Sequence, residues 1–151
     1  MGDVRQRPGR AVTILFVCQH GSAKSLIAAE YLNRVARSRG LALRGESMGV
    51  EPDRNVPAGV VAGLAADGID VRDYVPRLVD SEHLDSASHV VSFACDIGAI
   101  HAGVSSVERW DDLPMVSDGY ARARDAIVAR VESRLDTWAG PEPILHATES
   151  P

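Results

Sequence analysis

The sequence predicts a single-domain α/β protein in which helices cover both faces of a four-stranded parallel sheet. Short apolar segments alternate with amphipathic segments along the 151 residues, the rhythm of right-handed strand–helix–strand crossovers. The length suits one domain with a full core. A hydrophobic content of 45% and a charged content of 25% are ordinary for a globular protein. We therefore expect three layers, α/β/α.

The ends of the chain differ from its middle in composition. Arg, Gly and Pro predominate in residues 1–10, and Gly, Pro and Glu are prominent in residues 140–151. Such segments rarely pack into a core, so we expect flexible tails at both ends. The folded domain is expected over residues 11–139.

The first half of the chain predicts two strands and two helices. Residues 12–17 form an apolar run, typical of a strand buried on both faces. Residues 25–38 carry apolar side chains at every fourth position, which indicates a helix. A second strand is expected over residues 41–48. Proline suits the first turn of a helix and glycine its end, so residues 57–68 predict a second helix.

The second half predicts two more strands and a long final helix. Residues 88–93 and 104–110 are the candidate strands. Ser117 and Asp118 precede the last helix as candidate N-caps. The side chains expected to share its buried face are Tyr120, Ile127, Val128, Val131, Leu135 and Trp138.

Composition excludes several function classes. A net charge of −5 argues against a nucleic-acid partner, which requires clustered cations. The apolar runs are too short for a membrane span, and the N-terminus lacks a signal-peptide core, so we expect no membrane association and a cytoplasmic location. Two cysteines are too few for a disulfide scaffold or a zinc ribbon, and no metal is expected. The histidines that show no metal-binding spacing are His83, His89, His101 and His146.

The loop after the first predicted strand is the candidate site. Cys18 ends the strand, and Lys24 and Ser25 open the next helix. Open α/β sheets bind ligands beyond the carboxyl ends of their strands, and helix N-termini attract anions. The same position favours the nucleophilic thiolate of a cysteine. Lys24 is the sole lysine among 16 basic residues, so a specific role is more plausible for it than a surface charge.

Other interpretations of this loop are weaker. A Walker A loop needs glycine directly before the lysine, where this chain has Ala23. The dinucleotide fingerprint G-x-G-x-x-G is absent here. Cys18 as a buried apolar residue, the commonest fate of a free cysteine, stays open at this point.

The sequence C-QHGSA-K-S at residues 18–25 resembles the C-x5-R-S signature of low-molecular-weight protein tyrosine phosphatases and of the arsenate reductases that share their fold. Residues 12–37 are similar to the family's first strand, oxyanion loop and helix. Residues 45–70 resemble its second segment and residues 89–96 its third strand. Residues 110–131 are similar to its aspartate–proline loop and closing helix.

The resemblance implies a role for each loop residue. Cys18 matches the nucleophile, which would form a covalent phospho- or arseno-cysteine. Ser25 matches the serine that stabilises the thiolate. The backbone amides implied to hold the oxyanion are those of Gln19, His20, Gly21, Ser22, Ala23 and Lys24.

The chain departs from the family pattern at three places. Lys24 replaces an arginine, exchanging a planar fork for a point charge. The family has an aspartate directly before a proline, but here Leu113 lies between Asp112 and Pro114. Asp112 is the predicted general acid and Asp111 the alternative. The structural alternative is that one or both cap a turn. Met115 and Val116 follow where the phosphatases carry aromatic residues, which favours a small phosphate monoester or a free oxyanion over phosphotyrosine.

The second cysteine distinguishes the possible activities. Cys95 aligns with a thiol at the end of the third strand in thioredoxin-coupled arsenate reductases, whereas their later thiol position is Ala102 here. The resemblance thus implies a cofactor-free phosphatase acting on a small phosphate monoester. The first alternative is an arsenate reductase in which Cys95 or a low-molecular-weight thiol releases arsenite, with a thiol-redox partner. The second is a weakened homologue that binds phosphate or arsenate without turnover.

Overall fold

The computed structural model describes residues 12–95 and 107–140. The predicted tail at residues 1–10 lies outside the described residues, as do residues 141–151 of the other predicted tail. His101, Ala102 and residues 104–106 of the predicted fourth strand also lie outside them.

Four parallel strands form one sheet in the order β2-β1-β3-β4. The register sets Cys18, the last residue of β1, beside Gly49, the last residue of β2. Such a sheet needs a crossover between successive strands, which is what the alternating sequence pattern predicted. The predicted α/β class with a four-stranded parallel sheet is confirmed. The strands are β1 (Val12–Cys18), β2 (Leu43–Gly49), β3 (His89–Ser92) and β4 (Val107–Arg109).

The helices within the described residues are α1 (Lys24–Arg39), α2 (Ala58–Ala66), α3 (Ser81–Ser86) and α4 (Tyr120–Ala139). α3 was not predicted, because its six residues bury a single apolar side chain, Leu84, and so carry no helical stripe. The predicted caps of α4 are wrong: Gly119 occupies its N-cap, and Ser117 and Asp118 belong to a preceding 3-10 turn. None of these helices is long and apolar enough to cross a bilayer.

β1 is buried on both faces, as its continuous apolar run predicts. Ile14 and Phe16 pack in a core under α1, α2 and α4, where Phe16 contacts the rings of Phe93, Trp110 and Trp138 at centroid distances of 5.9–6.2 Å. Leu15 and Val17 point to the opposite face, into a smaller cluster that includes Leu84 of α3. Cores on both faces hold the end of β1 in place.

Candidate active site

Cys18 combines burial with polar contacts at its sulfur. The residue is 8% exposed and lines a cavity at the carboxyl edge of the sheet. Its Sγ accepts a hydrogen bond from the backbone N–H of Gly21 at 3.2 Å and lies 2.9 Å from Ser25 Oγ. Donors at both positions stabilise a thiolate. Cys18 also belongs to the hydrophobic core cluster under the helices, so the residue combines apolar packing with polar contacts at its sulfur.

A second serine extends this contact network. Ser47 of β2 lies with its Oγ 2.7 Å from Ser25 Oγ, and both serines are buried. The Ser25 hydroxyl thus lies between the Cys18 sulfur and the Ser47 hydroxyl, and Ser47 Oγ also lies 3.4 Å from the Gly21 carbonyl oxygen. The sequence analysis missed Ser47. The sequence signal that could have identified Ser47 is a hydroxyl residue near the carboxyl end of β2, the strand beside the one that ends in Cys18.

The loop after β1 is fastened to the segment after β2. Backbone hydrogen bonds run from Val50 N–H to Cys18 C=O, from Glu51 N–H to Gln19 C=O, and from Asp53 N–H to His20 C=O, at 3.2, 2.7 and 3.1 Å. Three successive bonds of this kind hold the loop in a single shape.

The two segments touch through glycines. Gly21 has φ +63°, and a Cβ there would lie 2.7 Å from the backbone nitrogen of Gly49. A Cβ on Gly49 would lie 2.6 Å from the backbone nitrogen of Gly21. Only glycine on both sides permits this approach.

The rim of the loop carries paired polar side chains. Gln19 Nε2 donates to Glu51 Oε1 at 2.8 Å, and Ser22 Oγ donates to Asp53 Oδ2 at 2.8 Å. His20 Nδ1 lies 3.0 Å from the Glu51 carbonyl oxygen and 3.5 Å from Asp53 Oδ1. Glu51 and Asp53 were not predicted as site residues, because they follow a different strand.

The N-terminus of α1 is open to an anion. Its N-cap residue, Ala23, offers no side-chain acceptor, and the first turn contains no acidic residue. The first N–H groups of a helix lack intrahelical partners and attract negative charge. Lys24 begins this helix and lines the cavity, and its Nζ donates to the Leu113 carbonyl oxygen at 3.4 Å.

The cavity beside Cys18 has a volume of about 660 Å³. This is well within the size range of small-molecule sites, and larger than a lone phosphate requires. One wall is the polar loop after β1. The apolar and aromatic residues of the other walls include Pro57, Val60, Phe93, Met115, Val116 and Tyr120.

The predicted acids lie outside this cavity. Asp111 accepts hydrogen bonds from the Ala94 N–H at 2.8 Å and from Arg109 Nε at 3.0 Å. Ala94 has φ +55°, so Asp111 stabilises a strained turn at the end of β3. The hydrogen bond from Arg130 lowers the pKa of Asp112, whose side chain is 73% exposed. Neither aspartate is among the described residues that line the cavity, which Met115 lines on this side.

Cys95 is buried on the other face of the sheet, in the cluster that contains Leu15 and Val17. Its Sγ lies 3.6 Å from the Val17 carbonyl oxygen, to which it donates, and 3.4 Å from Ser92 Oγ. Burial raises the pKa of Cys95 and outweighs the opposing effect of its contact with Ser92. These surroundings favour a protonated thiol, and Cys95 is not among the described residues that line the cavity.

Within residues 12–95 and 107–140, no group of three or more His, Cys, Asp or Glu side chains is placed to hold a metal ion. The fold and the site together define a parallel α/β protein whose cysteine lies in a glycine-dependent loop at a helix N-terminus. The family model described as low molecular weight phosphotyrosine protein phosphatase matches residues 13–112. The chain belongs to this family, as the resemblance of its loop indicated.

Solved structures include similar folds. YfkJ from Bacillus subtilis is 19% identical, with a TM-score of 0.74 over 83% of this chain and 92% of that one. A low molecular weight phosphotyrosine phosphatase from Vibrio cholerae O395 is 15% identical, with a TM-score of 0.74 over 85% and 97%. The thioredoxin-dependent arsenate reductase of Corynebacterium glutamicum is 18% identical, with a TM-score of 0.70 over 85% and 62%. At these identities the likeness shows the fold alone. The comparison with curated proteins gives no match.

Proposed function

We propose that the protein is a cysteine-dependent phosphatase that hydrolyses a phosphate monoester through a phosphocysteine at Cys18. The observation that carries the proposal is the sulfur itself: Sγ receives the Gly21 N–H, contacts Ser25, and lines a cavity at an uncapped helix N-terminus. The proposed location is the cytoplasm, where a free thiol stays reduced.

The reaction has two steps. In the first, the Cys18 thiolate attacks phosphorus and the bond to the leaving-group oxygen breaks. The backbone N–H groups of residues 19–24 and the positive end of α1 stabilise the charge on the phosphoryl oxygens. In the second, water attacks the phosphocysteine and releases inorganic phosphate. Ser25 stabilises the sulfur each time it carries negative charge.

Lys24 supplies the positive charge in this site. Its contact with the Leu113 carbonyl, at 3.4 Å, is long for a hydrogen bond and is readily exchanged for a phosphoryl oxygen. An ammonium binds as a point charge and lacks the two parallel contacts of a guanidinium. We therefore expect slower turnover than the same loop would support with arginine.

The cavity walls favour a leaving group with an apolar body. The polar loop occupies one side, and Val60, Phe93 and Tyr120 are among the residues that line the rest. A phosphate at Cys18 fills only part of about 660 Å³, which leaves room for an aromatic or aliphatic group. A small ester of this type fits better than a free oxyanion.

The first test is hydrolysis of 4-nitrophenyl phosphate, with acid quenching and intact-mass measurement of the enzyme. We expect one phosphoryl group trapped on Cys18, and no adduct and no turnover in Cys18→Ser. Cys95→Ala is the control, because it removes the other thiol, which is not among the described residues that line the cavity, and we expect it to retain turnover.

A parallel incubation with arsenate and glutathione tests the reductase alternative. Because Cys95 is buried on the opposite face, an arsenate reductase built on this site would draw its second thiol from solution. Arsenite production without hydrolysis of any aryl phosphate would overturn the phosphatase proposal. Phosphate binding with neither activity would instead support the weakened homologue.

A further inference from the structure

The cavity raises the question of which group supplies the proton to the leaving group. Among the described residues that line it, Asp53 is the one carboxylate and His20 the one imidazole. His20 lies in the loop after β1, and Asp53 lies in the segment after β2 that is bonded to this loop. We propose that His20 is the acid–base catalyst of this enzyme and that Asp53 positions it. This inference rests on the proposed phosphatase function.

The ring of His20 is held by one nitrogen. A backbone carbonyl only accepts hydrogen bonds, so the Nδ1 that lies 3.0 Å from the Glu51 oxygen carries a proton. Asp53 Oδ1 lies 3.5 Å from the same Nδ1, so the carboxylate and the Glu51 oxygen together fix the orientation of the ring. Nε2 is then the nitrogen available to a ligand in the cavity. The Glu51 carboxylate itself is bound to Gln19.

The support for the ring is built into the fold. The Asp53 N–H donates to the His20 carbonyl, and Ser22 holds the second Asp53 oxygen at 2.8 Å. The positions of acid and nucleophile are therefore set by the same loop. This arrangement, in which a third group orients the base, is a recurring feature of acid–base sites.

Other acids near the cavity are engaged elsewhere. Asp111 and Asp112 pair with Arg109 and Arg130 outside it. The Tyr120 hydroxyl is directed to Asp67 at 3.4 Å, and burial raises its pKa, which makes it a poor proton donor.

The proton balance closes over the two steps. As the S–P bond forms and the P–O bond to the leaving group breaks, the leaving oxygen takes the Nε2 proton, and neutral His20 keeps the proton on Nδ1. When water attacks the phosphocysteine, Nε2 takes a proton from that water as the S–P bond breaks. The products are inorganic phosphate, the Cys18 thiolate and the imidazolium, so the enzyme returns to its starting state.

The test is the dependence of rate on the leaving group. His20→Asn keeps a short amide N–H donor for Glu51 but removes Nε2. We expect kcat/KM for phenyl phosphate, which reports the steps up to departure of the leaving group, to fall about 100-fold or more, because a phenolate leaves poorly without a proton. For 4-nitrophenyl phosphate, whose leaving group needs little protonation, we expect kcat/KM to fall by less than about threefold.

Two further variants make the result specific. His83→Asn is the matched control, because the Nδ1 of His83 also lies beside an aspartate, 2.7 Å from Asp80, but outside the described cavity. In His20→Gly, added imidazole is expected to restore phenyl phosphate hydrolysis, which a purely structural role would not allow. This variant also serves if His20→Asn does not fold.

Two outcomes overturn the inference alone while wild-type hydrolysis still requires Cys18: an equal loss of kcat/KM for both esters, or no loss of kcat/KM for either. If wild type forms no phosphocysteine with any ester, the proposed function and the inference both fail. A further contrary result is that His20→Asn keeps its turnover while only Asp112→Asn becomes sensitive to the leaving group. That result would assign the proton donor to Asp112, in the segment after β4.

Discussion

The segments that follow β1 and β4 flank the same cavity, but they are held in opposite ways. The loop after β1 is bonded through three successive carbonyls to the segment after β2, and its side chains pair with Glu51 and Asp53 at the rim. Residues 111–119 present Met115 and Val116 to the cavity, while Asp111 and Asp112 bind arginines outside it. The first wall is polar and the second is largely apolar.

The difference indicates a division of labour. The polar loop holds the nucleophile, the oxyanion donors and, on our proposal, the proton donor. The apolar wall contacts the body of the leaving group. If this division is correct, substitutions in the loop and its supports change kcat, and removal of the aspartates of the opposite wall does not.

The largest effect is expected for the positive charge of the polar loop. Lys24→Met keeps the apolar stem but removes the ammonium, and we expect kcat to fall by about 10²–10³, as for loss of an oxyanion donor. Arg37→Met, on the exposed C-terminal end of α1, is the control. Lys24→Arg is expected to turn over several-fold faster than wild type. Equal rates in wild type and Lys24→Met would make Lys24 a surface charge.

The glycine contact between the two segments is next. Gly49→Ala puts a Cβ 2.6 Å from the Gly21 nitrogen, so the loop must shift. We expect a loss in kcat/KM of about 10²-fold, since sub-ångström misplacement of reacting groups is costly, and a free energy of unfolding lower by about 1–3 kcal/mol. Gly59→Ala, whose Cβ meets nothing within 4 Å, is the stability control for denaturant unfolding. Unchanged kinetics in Gly49→Ala would show that the contact does not position the nucleophile.

The buried serines allow a matched comparison between two strands. Ser47→Ala removes the hydroxyl that supports Ser25, and we expect kcat to fall about tenfold, the effect of weakening one hydrogen bond to the thiolate. Ser92→Ala removes an equally buried hydroxyl that contacts Cys95 instead. We expect thermal unfolding to show that both variants are less stable than wild type. Stopped-flow kinetics should show a lower kcat in Ser47→Ala only. Similar kcat values would show that the serine chain is only structural.

The smallest effect is expected at the apolar wall. Asp112→Asn removes an exposed carboxylate paired with Arg130, and we expect kcat to change by less than about twofold. Asp111→Asn loosens the turn at Ala94 and lowers thermal stability, with kcat within about threefold. A 100-fold loss in either variant with phenyl phosphate would show that this loop closes over the substrate and supplies the acid.

Local signals in the chain were enough to predict most of the elements. Helix α1 has apolar residues at every fourth position, and strand β1 is a continuous apolar run. Both patterns can be read from neighbouring residues, because burial of a helix face or of a strand selects apolar side chains at a regular spacing. α3 escaped prediction because one buried leucine leaves no period to detect. The N-cap of α4 was misassigned because Ser117 and Asp118 belong to a 3-10 turn that ends one residue before the true N-cap, Gly119.

The acid–base assignment shows where local signals end. Asp111 and Asp112 were predicted because they lie close before a proline, as in a displaced form of the family's aspartate–proline pattern. Their partners are Arg109, two residues before Asp111, and Arg130, on the long helix α4. The residues that do surround the loop, Ser47 and Asp53, are 22 to 35 positions beyond Cys18–Ser25 in sequence and join it only through the parallel register of β1 and β2.

By itself, the sequence determined the α/β class, the strand that ends in Cys18 and the anion-attracting helix start with a lone lysine. These properties depend on residue type and spacing over a few turns of chain. Only the tertiary structure decided which side chains face the sulfur and which turn away, because that choice depends on strand register and on competition among charged partners that are distant in the chain. The Gly21–Gly49 contact and the outward-facing aspartates are the two clearest products of that choice.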